Sequence, residues 1–138
     1  MIVVESSAMV DALVGDPASP HLLTTLADNE LHAPSLIDYE VASALRGHAL
    51  GGKLGDERLD GAIEDFSALN IERYPLSVMI GEVLDLRNSF VYDAAYVVLA
   101  RALVVPLVTA DAKLTEARKL GVEVRVVRPD RPFSPFLT

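Results

Sequence analysis

Four acidic side chains stand where an acid is least comfortable. Glu5 closes the apolar run Ile2, Val3, Val4; Glu40 interrupts the apolar face of a predicted helix; Asp93 opens the hydrophobic stretch 94 to 99; Asp111 follows Leu107, Val108 and Thr109. A carboxylate at an apolar boundary needs a partner. No Lys or Arg is adjacent in sequence to any of the four, so a bound divalent cation is the economical explanation, and phosphodiester chemistry on nucleic acid its usual use. Ser6, Ser7 and Thr109 add hydroxyls close to the first and last acids, with helix capping the expected job of Ser6.

Each acid taken singly has a structural alternative. Asp93 and Asp111 are ordinary N-cap residues, worth about 1 kcal/mol each in that role. Glu40 could be neutral or paired with a distant base such as Arg87, and Glu5 could be a strand-end acid in water. It is the occurrence of all four at element boundaries that favours a metal site. The three histidines, His21, His32 and His48, show no ligand spacing and accompany none of the acids, so surface or locally satisfied roles are expected.

The elements that must position these acids can be read from periodicity and punctuation. Residues 2 to 5 read as a buried strand, and Ser6 and Ser7 offer caps for a helix to about 14, stopped by Gly15, Asp16 and Pro17. A short helix over 20 to 28 and a strand over 31 to 33 follow, then a helix opened by Pro34 and ending near Gly51 and Gly52. Further helices are predicted over 56 to 69, 76 to 88 and 92 to 103, with strands over 71 to 74 and 106 to 108. Asp111 is predicted to cap a helix through 120, ended by Gly121, and 122 to 127 to form the last strand.

Repeated strand-helix units imply an α/β fold with a mostly parallel sheet covered on both faces. In such sheets ligands bind outside the carboxyl ends of the strands, where the strand order reverses. Glu5 and Asp111 fall at or just after such ends. The stripe Ile37, Glu40, Val41, Ala44, Leu45 turns Glu40 inward while Asp38 and Ser43 face water. Asp93, at the start of an interior helix, would sit where the helix dipole favours negative charge.

A length of 138 residues fits one domain, 1–138, burying about two thirds of its unfolded surface, with 128–138 as an extended, proline-containing tail. The hydrophobic fraction is 51%, yet no apolar run approaches the roughly 20 residues that span a bilayer. The N-terminus lacks a secretory pattern, so a cytoplasmic protein without a membrane association is expected. With no cysteine, thiolate catalysis and zinc-thiolate sites are excluded, and a metal would need oxygen ligands. The net charge of −8 argues against nucleic-acid binding by bulk electrostatics. Half of the 12 basic residues (Lys113, Arg118, Lys119, Arg125, Arg128, Arg131) nevertheless fall near the C-terminus, either as a local basic rim or as a solvated face.

The segments MIVVESSAMVDAL, APSLIDYEVASALR, VYDAAYVVLA and PLVTADAKL, in that order, resemble the PIN-domain ribonucleases, specifically the VapC toxins of prokaryotic toxin-antitoxin pairs. The resemblance covers nearly the whole chain. It implies a PIN-like three-layer α/β/α fold with four to five short strands. It further implies an endoribonuclease dependent on Mg2+ or Mn2+, inhibited by a cognate VapB-type antitoxin and commonly a homodimer. By position, the family's acidic centre falls on Glu5, Glu40, Asp93 and Asp111, with Ser7 matching a hydroxyl beside the first acid. One departure stands out: the family's first acid is normally Asp. The extra methylene of Glu5 moves the carboxylate by about 1.5 Å, and Mg2+ demands near-ideal geometry at about 2.0–2.1 Å.

The resulting expectation is metal-assisted hydrolysis of structured RNA, in tRNA or rRNA loops, with Glu5, Asp93 and Asp111 as ligands. Glu40 would be a further ligand or a base orienting water, and Thr109 a supporting hydroxyl. Arg87, Arg101 and Lys113 are candidates for phosphate contacts. Two rivals stay open. One is an attenuated module that binds RNA or antitoxin without turnover, because of Glu5. The other is a different acidic-site α/β enzyme, such as an aspartyl-phosphate phosphatase, for which Glu-Ser-Ser after the first strand is a poor start.

Overall fold

The computed structural model describes residues 1–15, 19–88 and 94–127. Asp93 and the 128–138 tail therefore lie outside the described residues. The sheet has five parallel strands in the order β3-β2-β1-β4-β5, namely β1 (Ile2–Val4), β2 (Leu31–Pro34), β3 (Ile71–Tyr74), β4 (Leu107–Thr109) and β5 (Val124–Val126). β1 is central, with Val3 opposite both His32 and Leu107. That position explains its uninterrupted apolar run: a parallel strand covered on both faces has no solvent side to alternate towards.

Among the described residues six α-helices accompany the strands: α1 (Ser6–Val14), α2 (Pro20–Asp28), α3 (Leu36–Leu50), α4 (Asp56–Ala68), α5 (Ile80–Asp85) and α6 (Ala94–Leu103). α1 packs on α2, α3 and α4, whereas α6 packs on α5 and across β1, β2 and β4. Right-handed crossovers give this segregation, because the chain moves one way from β1 to β3 and the other way from β3 through β4 to β5. The result is the expected three-layer α/β/α arrangement. In α3 the buried positions Ile37, Val41 and Leu45 recur every four residues, one stripe facing the core. α6 is buried throughout 95–100, which suits its apolar sequence.

Several boundaries differ from the sequence expectation. β1 stops at Val4, and Glu5 becomes the N-cap of α1, because its side chain accepts from the Ser7 N–H at the start of the helix. Pro34 ends β2 rather than opening α3, and the Ser35 N–H bonds to the Tyr74 carbonyl, extending the pairing with β3. The predicted helix over 76 to 88 divides into a 3-10 turn, Leu76–Val78, and α5. The division falls at Met79, which is buried and held at φ −129, ψ 9, outside the helical region. The segment after Asp111 is a 3-10 helix, Ala112–Leu120, rather than an α-helix. Its apolar residues Leu114, Ala117 and Leu120 recur every three positions, which aligns them along a helix of three residues per turn.

Two glycines end helices where a side chain would clash or strain the backbone. A Cβ at Gly15 would be driven into the Asp11 carbonyl oxygen, to which the Gly15 N–H bonds at 2.9 Å. Gly121 closes the 3-10 helix in the left-handed conformation, φ 84.

Candidate active site

The strand order reverses between β1 and β4, so the crevice beyond their carboxyl ends is where a doubly wound sheet accepts a ligand. Glu5 follows β1, and Thr109 and Asp111 close and follow β4. Glu5 is 3% exposed, and a buried carboxylate must be hydrogen-bonded or paired. Its partners are hydroxyls and a helix N-terminus. Oε1 accepts from Ser6 Oγ at 2.9 Å; Oε2 accepts from Ser7 N at 3.1 Å, Thr109 Oγ1 at 2.8 Å and Ser7 Oγ. Burial of Glu5 therefore has an explanation within the chain and does not by itself require a cation.

The hydroxyls are held in turn. Ser7 Oγ accepts from the Ala110 N–H at 3.0 Å and lies 3.3 Å from Thr109 Oγ1, which accepts from the Asp111 N–H at 3.0 Å. These bonds tie the start of α1 to the turn after β4. Asp111 is half-buried, and its Oδ1 caps the 3-10 helix by accepting from the Lys113 N–H at 3.0 Å. Its expected role as a cap is thus realised.

Glu40 points inward as its stripe predicts: it is half-buried, while Asp38 and Ser43 are exposed. Its Oε1 accepts from the Tyr96 hydroxyl at 2.6 Å rather than pairing with Arg87, whose guanidinium donates to the Leu84 carbonyl. Tyr96 is fully buried in α6. Its phenol is pushed far above the ordinary tyrosine range, first by burial and then by the hydrogen bond and charge of Glu40. Ser6 pulls the other way and the Glu5 charge adds to the rise. Tyr96 is therefore the meeting point of Glu40 with the Glu5–Ser6 pair.

Tyr96 and the holding role of Ser6 were not anticipated from the sequence. The one available signal was a hydroxyl-bearing ring inside an otherwise aliphatic helix, a group that when buried needs a partner. His32 takes the local role expected of it: 4% exposed, with Nδ1 2.8 Å from the Tyr74 hydroxyl and Nε2 2.8 Å from Glu30.

The donor set is all oxygen, which suits a hard divalent cation such as Mg2+ or Mn2+. Among the described residues no three His, Cys, Asp or Glu side chains converge as a metal site. The structure bonds Glu40 to the Tyr96 phenol, whose rise the Glu5 charge reinforces, and links the Asp111 backbone N–H to Glu5 through the Thr109 hydroxyl; Asp93 lies outside the described residues.

A 3-2-1-4-5 parallel sheet with carboxylates and hydroxyls at its switch point defines an acidic-site α/β protein of the PIN type. Ribonuclease VapC1 of Mycobacterium tuberculosis is 40% identical over 129 residues, 91% of this chain and 97% of its own length. Ribonuclease VapC9 of the same organism is 38% identical over 128 residues, 92% of this chain and 98% of its own length. Ribonuclease VapC12 is 32% identical over 128 residues, 92% and 99% of the two chains. No protein-family model matches the chain. On these likenesses the chain belongs to the VapC family of PIN-domain ribonucleases.

Proposed function

We propose that the protein is a divalent-metal-dependent endoribonuclease, the toxin of a toxin-antitoxin pair, that hydrolyses phosphodiester bonds in structured RNA. The observation that carries this reading is the network joining Glu5, Ser7 and Thr109 at the β1–β4 switch point. Glu5, Asp93 and Asp111 would hold Mg2+ or Mn2+, with Glu40 at a second position or orienting water. The ion, when bound, supplies an activated water and neutralises charge on the scissile phosphate.

The chain's own residues do the rest. Ser6, Ser7 and Thr109 fix both oxygens of Glu5. Tyr96, held neutral by its burial, keeps a donor on Glu40 Oε1 and so restrains that carboxylate. A cognate VapB-type antitoxin would close the groove by bringing a basic side chain to these acids, a charge-assisted pairing. Homodimerisation and a cytoplasmic location complete the reading; no helix among the described residues is long and apolar enough to cross a membrane.

A specific observation also favours the attenuated alternative. Both Glu5 oxygens already accept from the chain, which leaves fewer acceptor positions for a metal. The test is cleavage of tRNA and rRNA by purified wild type and Glu40→Gln, with Mg2+, with Mn2+ and with chelator. The nuclease reading expects metal-dependent cuts, reduced by about 10²-fold or more in the variant; RNA binding without cuts under every metal condition would favour the attenuated module.

A further inference from the structure

Beside the acidic centre a groove of about 330 Å³ runs between α1 and α3, lined by Ser6, Ser7, Val10, Asp11, Ala44 and His48. Its floor continues the site. Ser7 and Asp11 are one turn apart on α1, and Ala44 and His48 follow Glu40 at successive turns of α3. From Glu40 to His48 is about 12 Å along the helix, the range of a nucleoside flanking the scissile phosphate.

We propose that this groove is a base-selective subsite that takes an unpaired guanine of the RNA substrate. The proposal rests on the ribonuclease reading above. The size is that of a small-ligand cleft, at the low end of the roughly 300–1,000 Å³ such sites span. The lining fixes the chemistry. Val10 and Ala44 give small apolar walls, and His48 gives an aromatic ring on which a base can stack. Asp11 repels a phosphate and accepts hydrogen bonds only.

Among the four RNA bases, guanine alone presents two adjacent donors, N1–H and N2–H2, on the edge that a single strand exposes, and a carboxylate accepts two donors side by side. Cytosine, adenine and uracil offer one donor there. Asp11 also engages another group within the protein, and a carboxylate has about four acceptor positions. A cation is disfavoured because Asp11 is the single acidic side chain in the groove's lining. The rival occupant is an arginine side chain of a protein partner, which would also suit Asp11. Continuity with the hydroxyls that hold Glu5, together with the stacking ring, favours the nucleobase.

The test has two arms. In the first, wild type, Asp11→Asn and His48→Leu are titrated with the four 5′-mononucleotides and with an arginine amide, followed by backbone amide resonances. Guanosine monophosphate is expected to shift Val10, Asp11, Ala44 and His48 and to bind about tenfold more tightly than the others, a preference that falls to about twofold in Asp11→Asn. Equal binding of all four, shifts elsewhere only, or tighter binding of the arginine amide would overturn the proposal. Unchanged thermal unfolding midpoints confirm that the variants are folded.

In the second arm, cut sites in a pool of RNA hairpins with randomised loops should carry guanine at a fixed offset. Asp11→Asn should lose that enrichment. Cutting without guanine enrichment overturns the subsite. An uncut pool counts against the nuclease reading, and the mononucleotide arm still decides the groove.

Discussion

Glu5 tolerates near-complete burial because four donor atoms of the chain have been placed around two carboxylate oxygens, and the most consequential of them is the Thr109 hydroxyl. Thr109 is fully buried, donates to Glu5 and accepts from Asp111 N–H. Thr109→Val keeps the shape and removes both bonds, so a loss of about 1–3 kcal/mol is expected in chemical denaturation. Tyr96 gives a pH-dependent prediction. Its neutral form is favoured in the folded state, so the stabilisation is fully present below the ordinary phenol value near 10 and is lost as pH rises above it. In metal-free protein, wild type should lose stability between about pH 10 and 12 more steeply than Tyr96→Phe. Parallel curves would show that the buried phenol is not the titrating group. Neither partner of Tyr96 was legible in sequence: Glu40 lies 56 positions away, and the apolar run around Tyr96 reads simply as core.

At the scale of elements, local punctuation was the most readable layer. Asp111 capping the 3-10 helix and Gly121 ending it both follow ordinary residue preferences. What escaped was competition between two local options. Glu is not a favoured N-cap, so Glu5 read as strand, and Pro34 suits both a strand end and a first helical turn. The three-residue spacing of Leu114, Ala117 and Leu120 was visible, yet long 3-10 helices are uncommon. Leu114 is fully buried. Leu114→Ala should cost about 2–5 kcal/mol, and because this helix follows Asp111, the loss should disturb the site along with the core. Gly15→Ala should destabilise as well, since its Cβ meets the Asp11 carbonyl; an unchanged unfolding midpoint would show that α1 can end differently.

For the whole molecule, the parallel sheet followed from the order of elements, but the strand order did not. Sequence does not say which side of β1 the fourth strand joins, and that choice creates the switch point that Glu5 and Asp111 flank. Charge is a second global property. The C-terminal basic run is partly engaged locally: Arg118 donates to the Val124 carbonyl, Lys119 pairs with Glu116 and Arg125 lies 3.5 Å from Glu123. With a net charge of −8, RNA should be held through few phosphate contacts. Raising salt from about 50 to 200 mM should therefore weaken binding only about tenfold, against the thousandfold or more of a dense basic interface. A thousandfold loss would reveal a basic surface that this reading does not include.

The most direct test compares wild type, Asp93→Ala and Glu5→Asp on a mixed tRNA and ribosomal RNA pool, with Mg2+, with Mn2+ and with chelator. Discrete cuts that require the metal, vanish in Asp93→Ala and persist or strengthen in Glu5→Asp are predicted. Metal-dependent cuts that survive in Asp93→Ala, or cleavage indifferent to chelator, would contradict an acidic metal centre at the head of this sheet.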